Sequence, residues 1–417
     1  MYLGTATGLD FNTLGMAVSR IYRLMNNWLL VAGPMFIFMG MMLEKSGIGE
    51  QMMTSMQDLF GKVRGGLAIT VTIIGMILAA STGIIGASVV LLGLLSLPVM
   101  LKQGYSKPLA LGTVTASATL GILIPPSVML IIMADQLSLP VGDLFMGALI
   151  PGCILGFLYI TYILIYGLMK PQNAPLSPDR RSIEWGMILN VVKTIIPPLA
   201  LIILVLGSIF AGVTTPTEAS GVGAMGAILV ALYNRRLNLE VIKKVTLDTF
   251  RAIGFIYGIF IGATIFALVL RLLGGDEFIE ATLKGMPFGP YGVLAVILGA
   301  VFILGFFLDW IEITLIILPL LAPVVPSLGF QIDGYGVVEN PELVWFTVAV
   351  AVALQTSFLT PPVGLAIFFI MGVAPNDVQL LDTYKGVVPF VILQLIGLTL
   401  VIIWPQLVIW LPALAYG

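Results

Sequence analysis

The sequence predicts an all-α polytopic membrane protein with an inverted-topology repeat, two re-entrant hairpins and two broken helices. Three observations lead to this fold class. The composition is 59% hydrophobic and only 10% charged, far from soluble averages. Apolar segments of near-membrane length follow one another along the chain. Two of them, 118–134 and 354–374, are each interrupted in the middle by a Pro-Pro pair.

The two interrupted segments carry most of the argument. They read ATLGILIPPSVMLIIMA and LQTSFLTPPVGLAIFFIMGVA. Because proline removes a helix hydrogen bond, each pair frees backbone polar groups at bilayer depth. Such backbone is tolerated only inside protein or along a cavity. Matching interruptions in two halves of a chain indicate the central site of a secondary transporter.

Two pairs of short apolar segments are predicted to form the re-entrant hairpins. Residues 67–100 have a polar, glycine-rich centre, and residues 291–326 have a charged centre, FLDWIEIT. Several of their arms are shorter than the roughly 20 residues that a full span needs. Two tight spans in place of each hairpin are the alternative.

Basic residues predict the orientation of the chain. We assign five segments to the cytoplasmic side: 44–66, 101–107, 170–193, 235–251 and 374–386. Of the 19 Lys and Arg, all but Arg20, Arg23, Arg271 and Lys284 then lie inside, as the positive-inside rule requires. This orientation opens the first hairpin to the inside and the second to the outside, which is the relation expected of an inverted repeat.

The repeat divides the chain into four predicted units. These are a scaffold helix and arm at 1–66, a first transport unit at 67–169, scaffold helices and a second arm at 170–290, and a second transport unit at 291–417. An amphipathic stretch, 46–62 or about 276–286, precedes each hairpin. Each transport unit then runs from its hairpin through a broken helix to an unbroken closing helix, 142–169 or 387–413.

Composition also excludes several functions. A net charge of -2 argues against a nucleic-acid partner. The absence of histidine removes histidine metal sites and Ser-His or Cys-His catalysis, and the single cysteine cannot form an intrachain disulfide. There is no GxxxxGK[ST] phosphate-binding loop, so ATP is not expected to drive the protein.

Four motifs, in order, resemble the large membrane (DctM-type) subunit of tripartite ATP-independent periplasmic (TRAP) transporters. They are AGVTTPTEASGVGA, ILIPPSVMLI, FFLDWIEITLIILPLLAPVV and SFLTPPVGLAIFF. The resemblance covers nearly the whole chain. It implies an elevator-type transporter that imports an organic acid with sodium as the coupling ion, without another cofactor. It also implies a small membrane subunit and an extracytoplasmic binding protein as partners, in the inner membrane of a bacterium or archaeon.

The candidate site lies at the hairpin tips and the helix breaks, where backbone carbonyls and hydroxyls can bind sodium. The first half offers Ser81, Thr82, Gly83, Ser88, Gly121, Pro125, Pro126 and Ser127. The second half offers Asp309, Glu312, Gln355, Thr356, Ser357, Thr360, Pro361 and Pro362. The sodium candidates among them are Ser81, Gly83, Gly121, Asp309, Thr356 and Thr360. For each Ser and Thr, a hydrogen bond to a carbonyl of its own helix is the alternative. The half-helices that follow Pro126 and Pro362 carry partial positive charge at their N-termini, which suits an anionic substrate.

Asp309 and Glu312 stand out because a carboxylate near the bilayer centre costs roughly 2.5–3.5 kcal/mol on insertion scales. Spaced three residues apart, they share one face if the stretch is helical. We expect Asp309 to bind a cation or the substrate. For Glu312, capping the second arm of the hairpin or meeting a neighbouring subunit are the alternatives.

The TTPTEA stretch is predicted to be structural. Thr215 fits the N-cap, Pro216 the first helical position, and Glu218 the third position of a capping box.

Other functions remain possible at this stage. A stand-alone ion-coupled carboxylate symporter would need no binding protein. An intramembrane enzyme is disfavoured because paired carboxylates do not recur outside the second hairpin. A channel is disfavoured because one Asp-Glu pair supplies no ring of pore-lining charge within a monomer.

Overall fold

In a computed structural model, the described residues are 12–82, 85–177, 184–362 and 364–417. They form helices joined by turns, and no β-strand occurs among them. Seven helices within these ranges are long and apolar enough to cross a membrane. The all-helical membrane fold predicted from the sequence is therefore confirmed.

The first half contains a hairpin, a broken helix and a closing helix in the predicted order. Its described helices are α1 Asn12–Met25, α2 Ala32–Lys45, α3 Ile48–Phe60, α4 Gly66–Thr82, α5 Ile85–Lys102, α6 Lys107–Thr119, α7 Val128–Leu137 and α8 Val141–Met169. Helix α3 is the amphipathic arm, α4 and α5 are the two arms of the hairpin, and α6 and α7 are the two parts of the broken helix.

The second half repeats that order after three connecting helices. Its described helices are α9 Trp185–Phe210, α10 Pro216–Tyr233, α11 Leu239–Leu272, α12 Gly275–Lys284, α13 Pro290–Leu304, α14 Trp310–Ser327, α15 Pro341–Ser357, α16 Leu365–Met371, α17 Leu380–Ile403 and α18 Gln406–Tyr416. Here α12 is the arm, α13 and α14 the hairpin, and α15 and α16 the broken helix. Helix α14 is irregular, with a π-helical stretch at Ile313–Ile317.

The predicted unbroken closing helix of the second half is wrong. Helix α17 ends at Ile403, and α18 begins at Gln406. The cause is Pro405, because a proline pushes the preceding residue out of the helical region; Trp404 has φ −120° and ψ 79°. The closing helix of the first half, α8, is continuous through Pro151, as predicted.

The two halves interlock where α6 crosses α17. A Cβ atom built on Gly112 would lie 2.1 Å from the carbonyl oxygen of Gly386, and one built on Gly386 would lie 2.1 Å from the carbonyl oxygen of Pro108. Only glycine on both sides allows the two backbones to touch. The broken helix of the first half is therefore packed directly onto the closing helix of the second.

A group of helices lies beside this interlocked core. Helix α2 packs against α10 and α11, and the arm α3 packs against α9. Many large apolar side chains of α9 and α11 are exposed, as expected for helices that face lipid.

The TTPTEA stretch opens α10 with the predicted capping box. Thr215 Oγ1 accepts a hydrogen bond from the Glu218 amide at 3.3 Å, and Glu218 Oε2 accepts one from the Thr215 amide at 2.8 Å. The Thr215 hydroxyl also donates to Glu218 Oε2 at 2.9 Å. The hydrogen bonds that the Glu218 carboxylate accepts from the Thr215 amide and hydroxyl lower its pKa. The structural role predicted for this motif is confirmed.

Candidate functional site

Every residue of the first helix break is buried. A 3₁₀ turn at Leu120–Ile122 follows α6, the Pro125–Pro126 peptide bond is cis, and α7 starts at Val128. Ser127 is the N-cap of α7: its hydroxyl donates to the Ile122 carbonyl at 2.5 Å and accepts from the Leu130 amide at 3.5 Å. The Ser127 hydroxyl is therefore hydrogen-bonded on both sides of the break, to the 3₁₀ turn before it and to the first turn of α7 after it.

The second break is built from the same kind of residues but is more open. Helix α15 ends at Ser357, the Pro361–Pro362 bond is cis, and Pro362 is exposed. Helix α16 begins after Gly364, which has φ +48° and supplies no side-chain cap. The left-handed conformation favours glycine at this position.

The hydroxyls near the second break bond to their own helix. Thr356 Oγ1 donates to the Val352 carbonyl at 2.9 Å, and Thr360 Oγ1 donates to the Thr356 carbonyl at 2.8 Å. Ser357 Oγ donates to a carbonyl three residues back at 2.7 Å. These are the bonds given above as the alternative to ion binding. Each hydroxyl oxygen still has lone pairs that can accept a further contact.

One cavity of about 640 Å³ brings the two hairpins together. Helix α16, which follows the second break, and α11 also contribute residues to its wall. The lining residues are Ile85, Gly86, Arg251, Ala252, Phe255, Ile256, Phe307, Asp309, Trp310, Ile311, Glu312, Leu365 and Phe369. The walls are mostly apolar and aromatic, with two carboxylates and one guanidinium, the kind of lining typical of a site for a small polar ligand.

The charged tip of the second hairpin lines this cavity, as its sequence suggested. Asp309 is the N-cap of α14 and accepts a hydrogen bond from the Trp310 amide at 2.7 Å. Glu312 Oε2 and Thr314 Oγ1 are buried without a partner among the described residues. Capping, which we considered for Glu312, is thus performed by Asp309, because Asp309 directly precedes the first helical residue.

Among the predicted residues of the first half, those whose side chains the structure describes do not line the cavity. Gly83 is outside the described residues, as are the side chains of Ser81 and Thr82. Ser88 is buried in α5, and Gly121 is buried in the 3₁₀ turn of the first break. Among the described residues, only Ile85 and Gly86 represent the first half in the cavity wall.

Two further predicted residues face other surroundings. Pro125 lines a separate, almost wholly apolar cavity of about 350 Å³, together with residues of α4, α8 and α9. Gln355 is fully buried, and its side chain faces Tyr159 of α8. Of the 16 predicted residues, the described side chains that line the large cavity are those of Asp309 and Glu312.

Sequence analysis missed Arg251, which lines the same cavity. We assigned 235–251 to a cytoplasmic loop, but α11 already begins at Leu239, and Arg251 lies well within it. The signal was present in the sequence: the Asn238 side chain caps the helix by accepting from the Val241 amide at 2.7 Å. Arg251 is exposed, and its Nη1 lies 3.4 Å from Asp248 Oδ1.

An ion pair also joins the two broken-helix regions. Lys107, the first residue of α6, places its Nζ 2.9 Å from Asp377 Oδ2 and 2.5 Å from the Asp377 carbonyl oxygen. The hydrogen bond from Lys107 lowers the pKa of the Asp377 carboxyl. This pair joins the broken helix of the first half to the loop that follows the broken helix of the second.

Comparison with known proteins identifies the family. The chain matches the sequence model of the tripartite ATP-independent periplasmic transporter, DctM component, over residues 2–407. The chain belongs to this family. A TRAP relative from Pseudomonas aeruginosa, a C4-dicarboxylate TRAP transporter large permease protein, is 28% identical over 94% of this chain and 88% of its own length. An ectoine/5-hydroxyectoine TRAP transporter large permease protein from Ruegeria pomeroyi is 30% identical over 93% of this chain and 87% of its own.

A solved structure shows the same fold. The YdaH transporter of Alcanivorax borkumensis superimposes with a TM-score of 0.65 at 12% identity, covering 95% of this chain and 89% of YdaH. At this identity the similarity concerns the fold alone. The TRAP family supplies the functional class, a transporter permease.

Proposed function

We propose that this TRAP permease imports an organic acid together with sodium through the cavity between its two hairpins. The observation that carries the proposal is that cavity, whose lining includes Asp309, Glu312 and Arg251. The carboxylates suit a cation, and the guanidinium suits a carboxylate group of the substrate. The relatives named above are described as carriers of C4-dicarboxylates and of ectoine, a range that fits a small organic acid.

Sodium would be held mainly by neutral oxygens and by Asp309. Among the described residues, no three His, Cys, Asp or Glu side chains are grouped so that they could hold a metal ion. Carbonyls and hydroxyls at the breaks, including those of Gly121, Thr356 and Thr360, would therefore complete the ligand set, with Ser81 and Gly83 at the tip of the first hairpin. Hard oxygen ligands of this kind are the ones that unwound helices supply to sodium in transporters.

The proposed movement is of the elevator type. The hairpins and broken helices, interlocked through Gly112 and Gly386, would move as one body against α2, α9, α10 and α11. In this proposal the hairpins are re-entrant, and Asp309 and Arg251 lie on opposite sides of the moving boundary. Each positive charge moved inward gains about 2.3 kcal/mol per 100 mV of membrane potential.

Substrate would reach the cavity from an extracytoplasmic binding protein, with a small membrane subunit beside the permease in the bacterial inner membrane. The exposed apolar faces of α9 and α11 support a location among lipids or a membrane partner. The TRAP family membership of the chain supports the two partner proteins.

The test is uptake by purified complexes in proteoliposomes. With a C4-dicarboxylate and its binding protein outside, an inward sodium gradient should drive accumulation without ATP. Replacing sodium by potassium should abolish it. Equal uptake in potassium would contradict sodium coupling.

The same preparation separates the alternatives. Uptake that persists without any binding protein would favour the stand-alone symporter. Single-channel conductance in planar bilayers would favour a pore. As a matched variant control, Asp143→Asn changes a buried carboxylate at the start of α8 that does not line the cavity, and should leave sodium-driven uptake intact.

A further inference from the structure

Three polar side chains meet in the core, away from the transport cavity. They are Tyr159 in the middle of α8, Gln355 in the last turn of α15 and Gln394 in α17. All three are fully buried. The three helices come from both halves of the repeat, and they pack against one another in pairs.

The polar atoms of this cluster lie close to one another but make no hydrogen bond of good geometry. The Tyr159 hydroxyl faces the amides of Gln394 and Gln355. Nevertheless, the hydroxyl oxygen and both polar atoms of each amide have no hydrogen-bond partner of acceptable geometry among the described residues. The same helix interface satisfies its other large polar group: Trp345 Nε1 donates to the Val401 carbonyl at 2.7 Å.

Five unpaired atoms would be costly. A buried donor or acceptor without a partner costs about 1–3 kcal/mol, whereas a whole fold is stable by roughly 5–15 kcal/mol. Buried polar groups in native proteins therefore find a partner, in protein or in ordered water. A small polar molecule close to the three side chains would satisfy these atoms.

The hydrogen-bond donors and acceptors of the cluster determine which small molecule or ion fits it. Two amides present N–H donors as well as carbonyl acceptors, and the phenol can do both. A sodium ion would contact only the oxygens and would leave both NH₂ groups unpaired. An anion would contact only the donors. Water both donates and accepts, so it matches this neutral, mixed set.

Aromatic rings cover the cluster. Phe390, one turn before Gln394 on α17, packs edge-on against Tyr159 with ring centroids 5.1 Å apart and an interplanar angle of 87°. Tyr162 packs against the same Phe390 ring at 5.3 Å. We propose that Tyr159, Gln355 and Gln394 enclose an internal water site, separate from the transport cavity and one residue from Thr356 of the second break.

The test is X-ray hydroxyl-radical footprinting of the intact permease, read by mass spectrometry. Radiolysis of a bound water produces radicals next to Tyr159, so this buried ring should be hydroxylated. Phe36 and Phe145 are equally buried and pack on each other with centroids 6.4 Å apart, which makes them the internal control. They should stay unlabelled. Labelling of Tyr159 no higher than that of Phe145 would overturn the proposal.

Two variants and a comparison of sodium with potassium test the water site further. Gln394→Leu removes two polar atoms of the cluster and should remove the labelling of Tyr159 while that of exposed residues stays the same. Gln355→Leu serves as the second variant if the first does not fold. Unchanged Tyr159 labelling in a folded variant would contradict the water site. Labelling that appears in potassium and disappears in sodium would assign the site to the ion and overturn the proposal.

Discussion

The two helix breaks use nearly the same residues, yet they differ in surroundings. At the first break every residue is buried, and Ser127 joins the two parts of the helix through its hydroxyl. At the second break Thr360 is half-buried, Pro362 is exposed, and α16 begins without a side-chain cap. Leu365 and Phe369 of α16, the helix that follows the second break, line the cavity, whereas the described residues of the first break do not.

The difference shows that the same Pro-Pro break can be built in two ways, one buried and one partly open. A buried and capped break holds its two half-helices in place, since buried backbone groups must be paired. An open break leaves oxygens that a ligand can reach. The repeat is therefore symmetric in topology and asymmetric in chemistry, with the charged tip, Asp309 and Glu312, on the open side. The predictions below test this asymmetry, beginning with the largest expected effect.

Asp309→Asn should cause the largest effect, a loss of apparent sodium affinity. If Asp309 shares a sodium ion with neighbouring carbonyls, its loss should weaken apparent sodium affinity about ten- to hundredfold, or about 1.4–3 kcal/mol. The measurement is the sodium dependence of uptake in proteoliposomes. A well-folded Asp309→Asn protein with unchanged sodium affinity would remove this residue from the site. Poor expression or early melting, with uptake still dependent on sodium, would show that Asp309 acts only as the cap of α14.

Ser127→Ala should lower stability rather than transport selectivity. Loss of an N-cap costs about 1 kcal/mol, and here the hydroxyl also bonds the Ile122 carbonyl. The matched change at the other break, Thr360→Ala, removes a half-buried hydroxyl that donates only to the Thr356 carbonyl four residues back, so it should shift stability by about 0.5 kcal/mol or less. Unfolding in detergent, followed by melting temperature, compares the two. A larger loss at Thr360 would reverse our assignment of the packed and open breaks.

Arg251→Gln should raise the KM for an anionic substrate by up to about fivefold, because an exposed ionic contact contributes about 0.2–1 kcal/mol. The effect should shrink as ionic strength rises. Lys244→Gln is the control, since Lys244 is exposed on the same helix and does not line the cavity. An equal rise of KM in both variants would indicate a general surface-charge effect and not a contact with the substrate.

The smallest expected effect concerns Lys107 and Asp377, which join the two broken helices. The pKa of Asp377 is lowered by its hydrogen bond from Lys107. The pair therefore stabilises the protein above the ordinary pKa of aspartate, and this contribution is lost as pH falls through the lowered value. Melting temperatures of wild type and Asp377→Asn should differ slightly at neutral pH and converge in acid. A difference that persists in acid would mean that the carboxylate charge plays no part.

Much of the architecture could be predicted because its signals are local. Pro-Pro pairs at 125–126 and 361–362 mark the breaks, and the TTPTEA stretch contains its whole capping box. The failures have local causes as well. Pro405 ends α17 inside a run that we assigned to one helix, and the Asn238 cap starts α11 earlier than its charged composition suggested.

The site was harder to predict, because it depends on which way side chains point. Asp309 and Glu312 were candidates because a charge in an apolar segment is unusual, and both line the cavity. Gln355, one residue before Thr356, points toward α8 and α17 instead, and no local signal distinguishes the two directions. The contact of Tyr159 with Gln394 joins residues far apart in the chain, so a single sequence does not reveal it.

The contact between Gly112 and Gly386 bears on how the protein is made. Synthesis proceeds from the N-terminus, and earlier parts of a chain generally fold first. Helix α6 enters the membrane long before α17 exists, so the face around Gly112 stays without its partner until synthesis is nearly complete. During that interval the backbone of α6 is open to wrong helix partners, and a side chain at either glycine would make the final docking impossible. We therefore expect Gly386→Val to yield a full-length chain that is inserted, recognised as unfinished and degraded.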